Sequence, residues 1–426
     1  MGILIKNVHI LGAPESERTD VYITGKRIAG IGKEPRRFPV NEILDGTDKI
    51  LMPGLVNAHT HAYMSVLRNY ADDVPFQTWL FDRVSKVEEA MTPEEAYWGN
   101  LLSVMEMIRT GTTCFVDMQM FPRQAVRACA DSGMRAMITR GLVGSDRHDE
   151  GGLRRLAEAF DEMEFAGSIA APVTFGLGPH AIYSCGEDFL RYVTELAAEK
   201  DLPLNIHLAE TQGEFDTCIK EHGMSPVAYL HSLGMLDRRI LLAHCVYLAE
   251  EDYALLRRDS VTVAANPASN MKLANGFAPV TRMVREGIRV ALGTDGPASN
   301  NTLNLFGEMH LLSMSQKGAE KDALAMTAEE TLRCAVENGY AALGMEETHG
   351  AVETGRTADL ILIDEKSPNL RPVYDRKKAL VYSASGYEVS DVIIDGKLVM
   401  KDRNFVTIDG ERVYYEMDRI AEKYRI

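Results

Sequence analysis

The sequence predicts an α/β protein built as a (β/α)8 TIM-like barrel, with a small β-sandwich domain that both chain ends form together. Three observations predict this fold. Apolar runs alternate with amphipathic helical stretches through the middle of the chain, these runs number eight, and both chain ends are rich in short strands. Eight βα units over about 300 residues are the number that closes a parallel barrel. The length of 426 residues accommodates this barrel and one small domain.

The two chain ends predict the small domain. Near the N-terminus, β-branched residues recur between turn residues such as Gly25, which indicates strands at Ile3–Ile10, Asp20–Ile23 and Arg27–Ile31. The same pattern indicates later strands at Ala358–Ile363, Val392–Ile394 and Lys397–Met400, and a helix closes the chain at Gly410–Tyr424. We therefore expect residues 1–50 and 355–426 to form one composite β-sandwich domain, and residues 51–354 to form the barrel.

The middle of the chain predicts the barrel strand by strand. The expected strands are Ile50–His59, Thr112–Asp117, Arg135–Arg140, Val173–Pro179, Pro203–His207, Ile240–His244, Val261–Asn266 and Arg289–Thr294. Amphipathic helices are expected between them at Pro93–Arg109, Glu187–Lys200, Glu250–Arg258 and Val280–Glu286. A doubly wound open sheet would need a glycine-rich phosphate turn after its first strand, and only Gly54, inside that strand, is present.

Composition restricts the classes of partner. The chain has 62 acidic and 46 basic residues, a net charge of −16, which argues against a nucleic-acid partner because such binding depends on clustered Lys and Arg. No apolar run of about 18 residues predicts a membrane span, and no targeting segment is recognisable. The six cysteines form no CxxC pair, as expected of free thiols in a reducing compartment. We expect a cytoplasmic protein with neither nucleic acid nor membrane as a partner.

Histidines at predicted strand ends indicate a metal site. His59 and His61 flank one residue at the end of the first strand, so their side chains point to the same side. His207 ends the fifth strand, His244 the sixth, and Asp295 follows the eighth. Barrel enzymes carry their sites at this C-terminal face. Three histidines and a carboxylate suit zinc with an open position for water. A second metal ion would need a bridging ligand, often a modified lysine, and no lysine stands at the rim, so we expect one ion.

Two further groups supply proton transfer. Glu210 follows His207 by three residues and is expected to lie over the barrel mouth, where it can exchange protons with a substrate. His244 is either a fourth metal ligand or a base that orients the activated water. Asp295 can contact both the metal and the water. The sequence leaves this division of roles open.

The chain resembles the amidohydrolase superfamily, and a branch of it that holds 5'-methylthioadenosine/S-adenosylhomocysteine deaminases and triazine chlorohydrolases. The motifs that carry the resemblance are Pro53-Gly54-Leu55-Val56-Asn57-Ala58-His59-Thr60-His61, His207-Leu208-Ala209-Glu210, Ala243-His244, Asn266-Pro267-Ala268-Ser269-Asn270-Met271-Lys272-Leu273 and Thr294-Asp295-Gly296-Pro297-Ala298-Ser299-Asn300-Asn301. The resemblance implies one Zn2+ per subunit, with Fe2+ or Mn2+ as alternatives, bound by His59, His61, His207 and Asp295. It also implies catalysis by Glu210, His244 and Asp295, in a hydrolytic deaminase that converts adenosine analogues to inosine analogues and ammonia.

The resemblance further implies a pocket for a nucleoside. Glu88 corresponds to the position that holds the ribose hydroxyls, since a carboxylate accepts from both groups of a diol. His180 resembles the histidine that contacts the nucleoside, and Glu210 contacts the base. Arg140 resembles the arginine that binds the amino-acid carboxylate of S-adenosylhomocysteine.

One departure from the branch concerns that carboxylate. Related enzymes can carry a second arginine about twelve residues after the first, and Gly152 stands there in this chain. Arg147 and Arg154 are close by but out of register. A weakened carboxylate site would favour 5'-methylthioadenosine, 5'-deoxyadenosine or adenosine over S-adenosylhomocysteine.

Two alternative functions follow from the same motifs. The nearer one is a guanine-type or triazine-type deaminase or chlorohydrolase of the superfamily. The other is a structural protein without enzymatic activity, which the complete set of ligands argues against. Because barrels of this kind often assemble, we expect a homo-oligomer whose partner in function is a small-molecule nucleoside.

Overall fold

The computed structural model describes residues 2–14, 16–75 and 78–425 of the chain. Its strands are β1 (Gly2–Ile10), β2 (Thr19–Thr24), β3 (Arg27–Ile31), β4 (Glu42–Asp45), β5 (Lys49–Pro53), β6 (Leu55–Thr60), β7 (Thr112–Gln119), β8 (Arg135–Leu142), β9 (Val173–Pro179), β10 (Leu204–Leu208), β11 (Ile240–His244), β12 (Val261–Ala265), β13 (Val290–Leu292), β14 (Leu360–Asp364), β15 (Val389–Ile394), β16 (Lys397–Lys401) and β17 (Asn404–Phe405). The α-helices are Ser85–Ala90, Pro93–Arg109, Pro122–Ser132, Glu150–Ser168, Glu187–Glu199, Gln212–His222, Pro226–Ser232, Asp252–Leu256, Pro267–Lys272, Val280–Arg285, Leu305–Glu320, Ala328–Ala335, Glu337–Ala342, Arg376–Tyr382 and Gly410–Tyr424. Shorter helical turns are Ala62–Leu67, Met235–Asp237 and Pro368–Leu370, and a π-helix spans Thr78–Val84.

The predicted barrel is confirmed. Strands β6 to β13 form one parallel sheet in sequence order, and their side chains are almost entirely buried because helices cover the outside and side chains fill the inside. The sheet closes at the site end, where the carbonyl oxygen of His59 accepts from the backbone N–H groups of Thr294 at 3.1 Å and Asp295 at 2.9 Å. This closure joins the first and last strands and brings His59 beside Asp295.

The predicted first barrel strand, Ile50–His59, is wrong as a single element. The chain instead forms two strands, β5 and β6, that separate at Gly54 and belong to different sheets. A Cβ atom at Gly54 would lie 2.1 Å from Thr113 Oγ1, so only glycine permits this close approach. Continuous apolar character concealed the break, because both strands are buried.

Strands from both chain ends form a sheet of their own, separate from the barrel, as predicted for the small β domain; its strands join in one nine-stranded sheet. The first part of β1 pairs with β2 and β4, whereas its end pairs with β5, which continues to β14, β15, β16 and β17. The register of β1 with β2 shifts between Ile5 and Val8, and the last two residues of β1, His9 and Ile10, pair with β5 instead. Apolar side chains from both ends, including Ile23, Leu51 and Ile393, pack into one separate core.

The final helix lies on the barrel. Helix Gly410–Tyr424 has the predicted bounds, but it packs against helix Pro93–Arg109, and Lys423 Nζ contacts Glu95 Oε1 at 2.8 Å. Since β5 extends to Pro53 in the terminal sheet, we propose Gly54 as the boundary between sandwich and barrel.

Within the described ranges, no helix has the length and apolar character needed to cross a bilayer. All six cysteines are free and buried.

Candidate metal centre and active site

The predicted ligands converge at the C-terminal mouth of the barrel. His59 lies in β6, His61 follows it, His207 lies in β10 and His244 ends β11. Asp295 follows β13 in a left-handed conformation, with φ of +60°, that turns the chain at the rim. Because parallel strands end at the same edge, residues far apart in sequence meet here.

The donor atoms lie close together. The nitrogens of His59, His61 and His207 form one group within 4.8 Å of one another, and those of His59 and His244 form a second group with an Asp295 oxygen. Asp295 Oδ1 is 3.4 Å from His61 Nε2 and 3.7 Å from His59 Nε2. Nitrogen and carboxylate donors at this spacing suit a zinc-like ion.

The hydrogen bonds of the imidazoles fit a bound metal. Both ring nitrogens of His59 are buried without a hydrogen-bond partner among the described residues, a costly arrangement unless a ligand satisfies one of them. In the other three rings Nδ1 is within 2.8 Å of an oxygen atom, which leaves Nε2 for the centre; the oxygens are Met118 O, His180 O and Asn270 Oδ1, facing His61, His207 and His244 respectively. Such partners fix the orientation of metal-binding histidines.

Burial favours the metal-binding form of these rings. It lowers the pKa of His59 and of His207 below the usual value, and the neighbouring imidazoles add to the effect. A neutral imidazole keeps a nitrogen lone pair for the metal. The donor set therefore supports a metal cofactor.

Two serines that the sequence analysis did not single out hold Asp295. Ser269 Oγ and Ser299 Oγ donate to Asp295 Oδ2 at 2.6 and 2.7 Å, and the backbone N–H of Gly296 donates to Oδ1 at 2.7 Å. The serines occupy Oδ2, so Oδ1 is the oxygen that faces the histidines. Both serines lie within motifs that carry the family resemblance, but sequence spacing gave no reason to pair them with Asp295.

Glu210 lies at the wall of the same cavity. Its Oε1 accepts from Asn275 Nδ2 at 2.8 Å. Burial raises the pKa of the Glu210 carboxyl group and so favours its protonated form. A protonated carboxyl group can act as a proton donor. Burial opposes the charged form of His244, but the Glu210 and Asp295 carboxylates outweigh it and raise the pKa of this imidazole.

A cavity of about 200 Å³ opens above the histidines and contains the predicted substrate-binding residues. Glu88 lines it, and Tyr63 Oη donates to Glu88 Oε1 at 2.5 Å, leaving the second carboxylate oxygen for another hydroxyl. His180 also lines it, with Nδ1 2.9 Å from Ser184 Oγ. Burial, together with the nearby His61, lowers the pKa of His180 to about 4, so the ring is neutral at neutral pH.

The arginines near the cavity differ from the sequence expectation. Arg140 lines the cavity and donates from Nε to Glu158 Oε2 at 3.0 Å. Arg147 forms an ion pair with Asp188, with Nε 2.9 Å from Oδ1. Arg154 is largely exposed, and its Nε lies 3.8 Å from Glu158 Oε1. Arg155, which the sequence analysis did not identify, lines the cavity instead.

A second cavity of about 970 Å³ adjoins the first. Four residues line both cavities: Leu80, Val143, Arg155 and Tyr183. Arg155 Nη1 donates to the carbonyl oxygen of Val143 at 3.3 Å, and among the described residues no carboxylate forms an ion pair with it. A guanidinium group that forms no ion pair among the described residues therefore lies at the junction.

Comparisons with known proteins agree with this geometry. The model of the "Amidohydrolase family" matches residues 50–399. A 5-methylthioadenosine/S-adenosylhomocysteine deaminase of Caldanaerobacter subterraneus subsp. tengcongensis is 41% identical over 99% of this chain and 98% of its own. The crystal structure of an adenosine deaminase from Xanthomonas campestris with bound zinc is 30% identical, with a TM-score of 0.92 over 99% of this chain and 98% of that one. A triazine hydrolase from Arthobacter aurescens shares the fold, with 22% identity, a TM-score of 0.88 and 99% coverage of both chains.

Proposed function

Because this chain belongs to the amidohydrolase family, we propose that it is a zinc-dependent deaminase that hydrolyses the 6-amino group of adenosine analogues. The substrates we propose are 5'-methylthioadenosine, S-adenosylhomocysteine, 5'-deoxyadenosine and adenosine. The observation that carries the proposal is the meeting of four histidines and Asp295 in one cluster at a cavity whose wall includes Glu210. Relatives named 5-methylthioadenosine/S-adenosylhomocysteine deaminase support the first two substrates, and a structural neighbour named adenosine deaminase supports adenosine.

The proposed reaction divides its work among three side chains. A zinc ion held by His59, His61, His207 and Asp295 would activate water for attack at neutral pH. His244 and Asp295 orient the attacking water and accept its proton. Glu210 donates a proton to N1 of the adenine ring as the water oxygen bonds to C6. The proton accepted from water then passes to N6, the C6–N6 bond breaks and ammonia leaves. The remaining proton on the oxygen at C6 returns to Glu210, so the product keeps a C6 carbonyl and a proton on N1.

The proposed nucleoside contacts follow the cavity wall. Glu88 accepts from the ribose hydroxyls, with one carboxylate oxygen fixed by Tyr63. His180 contacts the nucleoside as a neutral imidazole. Arg140, which lines the cavity, binds the carboxylate of a 5'-linked amino acid in this proposal, as the family resemblance implies.

Arg155 changes the expected preference among substrates. The missing second arginine predicted weak binding of the S-adenosylhomocysteine carboxylate, but Arg155 and Arg140 line the same cavity. Arg155 lies where the second cavity begins, which provides space for a long 5' substituent. We therefore propose that S-adenosylhomocysteine is a substrate and that Arg155 binds its carboxylate together with Arg140.

Arg155→Ala is expected to lower kcat/KM for S-adenosylhomocysteine by about 10-fold, the effect of one charge-assisted hydrogen bond. The value for 5'-methylthioadenosine, which has no carboxylate, is expected to stay within about twofold. Steady-state kinetics with both substrates provide the measurement. Arg154→Ala is the control, because this neighbouring arginine is exposed and lies outside the cavity wall. Equal losses for both substrates would show that Arg155 does not recognise the carboxylate.

A panel of adenosine analogues that differ only at the 5' position tests the proposed function. The expected result is loss of the adenosine ultraviolet absorbance band with one ammonia released per turnover. Guanine and a chlorinated triazine complete the panel, with chloride release as the second readout. Turnover of guanine or triazine alone would reject the adenosine proposal in favour of another hydrolase of the family. Wild-type protein with under a tenth of an equivalent of metal and no turnover would support a structural role.

A further inference from the structure

The turn that carries Glu210 has an unusual backbone conformation. Strand β10 ends at Leu208, and Ala209 follows with φ of +51°. This left-handed conformation costs an alanine about 1 kcal/mol or more, so the surrounding structure must hold it. Glu210 is the next residue, and its reach over the barrel mouth depends on this turn.

Glu214 contacts both peptide groups of the turn. It lies in the first turn of helix Gln212–His222 and is buried. Its Oε1 accepts from the backbone N–H of Ala209 and its Oε2 from that of Glu210, both at 2.9 Å. One carboxylate therefore satisfies two buried donors that would otherwise have no partner.

The opposite side of the Ala209 peptide is also fixed. Its carbonyl oxygen accepts from the backbone N–H groups of Val246 at 2.9 Å and Tyr247 at 3.1 Å. These residues follow His244, so the turn connects the ends of β10 and β11. Among the described residues, Glu214 is the only one whose side chain accepts hydrogen bonds from the backbone N–H groups of Ala209 and Glu210.

We propose that Glu214 is a positioning residue that holds Glu210 in place for proton transfer. This inference rests on the proposed function, because it assigns Glu210 the role of proton donor. Glu214 itself acts through Glu210 and has no contact with the substrate in this proposal. Its two carboxylate oxygens are both required, since each accepts from a different backbone N–H group.

Glu214→Gln tests the proposal with a side chain of the same size. The glutamine side-chain amide provides one acceptor oxygen for one of the two backbone N–H groups. Its NH2 group faces the other backbone N–H, so two donors oppose each other and that hydrogen bond is lost. We expect kcat to fall about 10- to 100-fold, the cost of misplacing a reacting group by about 1 Å. KM and metal content are expected to stay within about twofold of the wild-type values. Asp216→Asn, an exposed change on the same helix, is expected to leave kcat unchanged.

A double-mutant cycle separates positioning from a general structural role. In the Glu210→Gln background, Glu214→Gln is expected to lower the residual kcat by less than about twofold, because the group it positions is already gone. An equal loss in both backgrounds, or loss of the metal, would overturn the proposal. If Glu214→Gln does not fold, Glu214→Asp is used in the same cycle, because it keeps two acceptor oxygens. It is expected to lower kcat by less than Glu214→Gln would. An equal loss of kcat with and without Glu210→Gln would again overturn the positioning proposal.

A crystal structure of Glu214→Gln gives a readout that does not depend on activity. Glu210 is expected to move away from Asn275, whose Nδ2 lies 2.8 Å from Glu210 Oε1 in the wild-type chain. An unchanged Glu210 would overturn the positioning role. Wild-type protein that fails to deaminate any adenosine analogue would instead overturn the proposed function, and the position of Glu210 in the variant would still decide the role of Glu214.

Discussion

Glu210→Gln is expected to lower kcat by 10²- to 10⁴-fold while the protein keeps its metal, since this is the usual contribution of a positioned proton donor. Glutamine has the same shape and can keep the contact with Asn275 Nδ2 through its carbonyl oxygen. It cannot transfer a proton to N1. Deamination rates and metal content by elemental analysis, measured on the same preparation, provide the test.

Glu251→Gln is the matched control for this change. It replaces an exposed glutamate beyond β11 and is expected to leave kcat within about twofold of wild type. Turnover by Glu210→Gln within a factor of about ten of the wild-type rate would show that another group moves the proton. Loss of metal in this variant would assign Glu210 to the metal centre.

His61→Asn is expected to reduce bound metal to under a tenth of an equivalent and to lower turnover by roughly 10³-fold or more. The asparagine amide can preserve the donation to Met118 O that His61 Nδ1 makes at 2.8 Å, but it removes the Nε2 donor. The local fold is therefore kept while one ligand is lost. Elemental analysis and deamination rates measure the two effects.

Thermal unfolding provides a second readout for the metal centre. A ligand that binds only the folded state stabilises it, so a chelator is expected to lower the wild-type Tm and added zinc to restore it. The Tm of His61→Asn is expected to be insensitive to the chelator. His310→Asn, on the exposed surface of helix Leu305–Glu320, is the control and should respond like wild type. A chelator-sensitive Tm in His61→Asn would show that His61 is not required for the metal.

The barrel and its candidate ligands could be predicted because the signals for them are local. Apolar periodicity defines each strand, and the bounds of β9 and β11 agree with the prediction at both ends. The end of a barrel strand lies at the mouth whichever strand it is, so His59, His207 and His244 could be assigned to one site without knowing any distance. The general rule that parallel barrel strands end at one face was enough to bring these residues together in space.

Residues that act across elements could not be predicted in this way. Arg155, rather than Arg147 or Arg154, lines the cavity because of its position on helix Glu150–Ser168, which sequence spacing from Arg140 does not reveal. The pairing of Ser269 and Ser299 with one oxygen of Asp295 joins two loops, and only their packing defines it.

The sequence by itself determined the strand-and-helix alternation, the small domain of both chain ends, and the side chains available for metal binding and proton transfer. The tertiary structure alone decided where the first predicted strand breaks, where the final helix packs, and which neighbours orient Asp295 and Glu210. The physical reason is the range of the interactions. Hydrophobic periodicity acts between residues close in sequence, whereas hydrogen bonds and close packing at the barrel mouth join segments that only folding brings together.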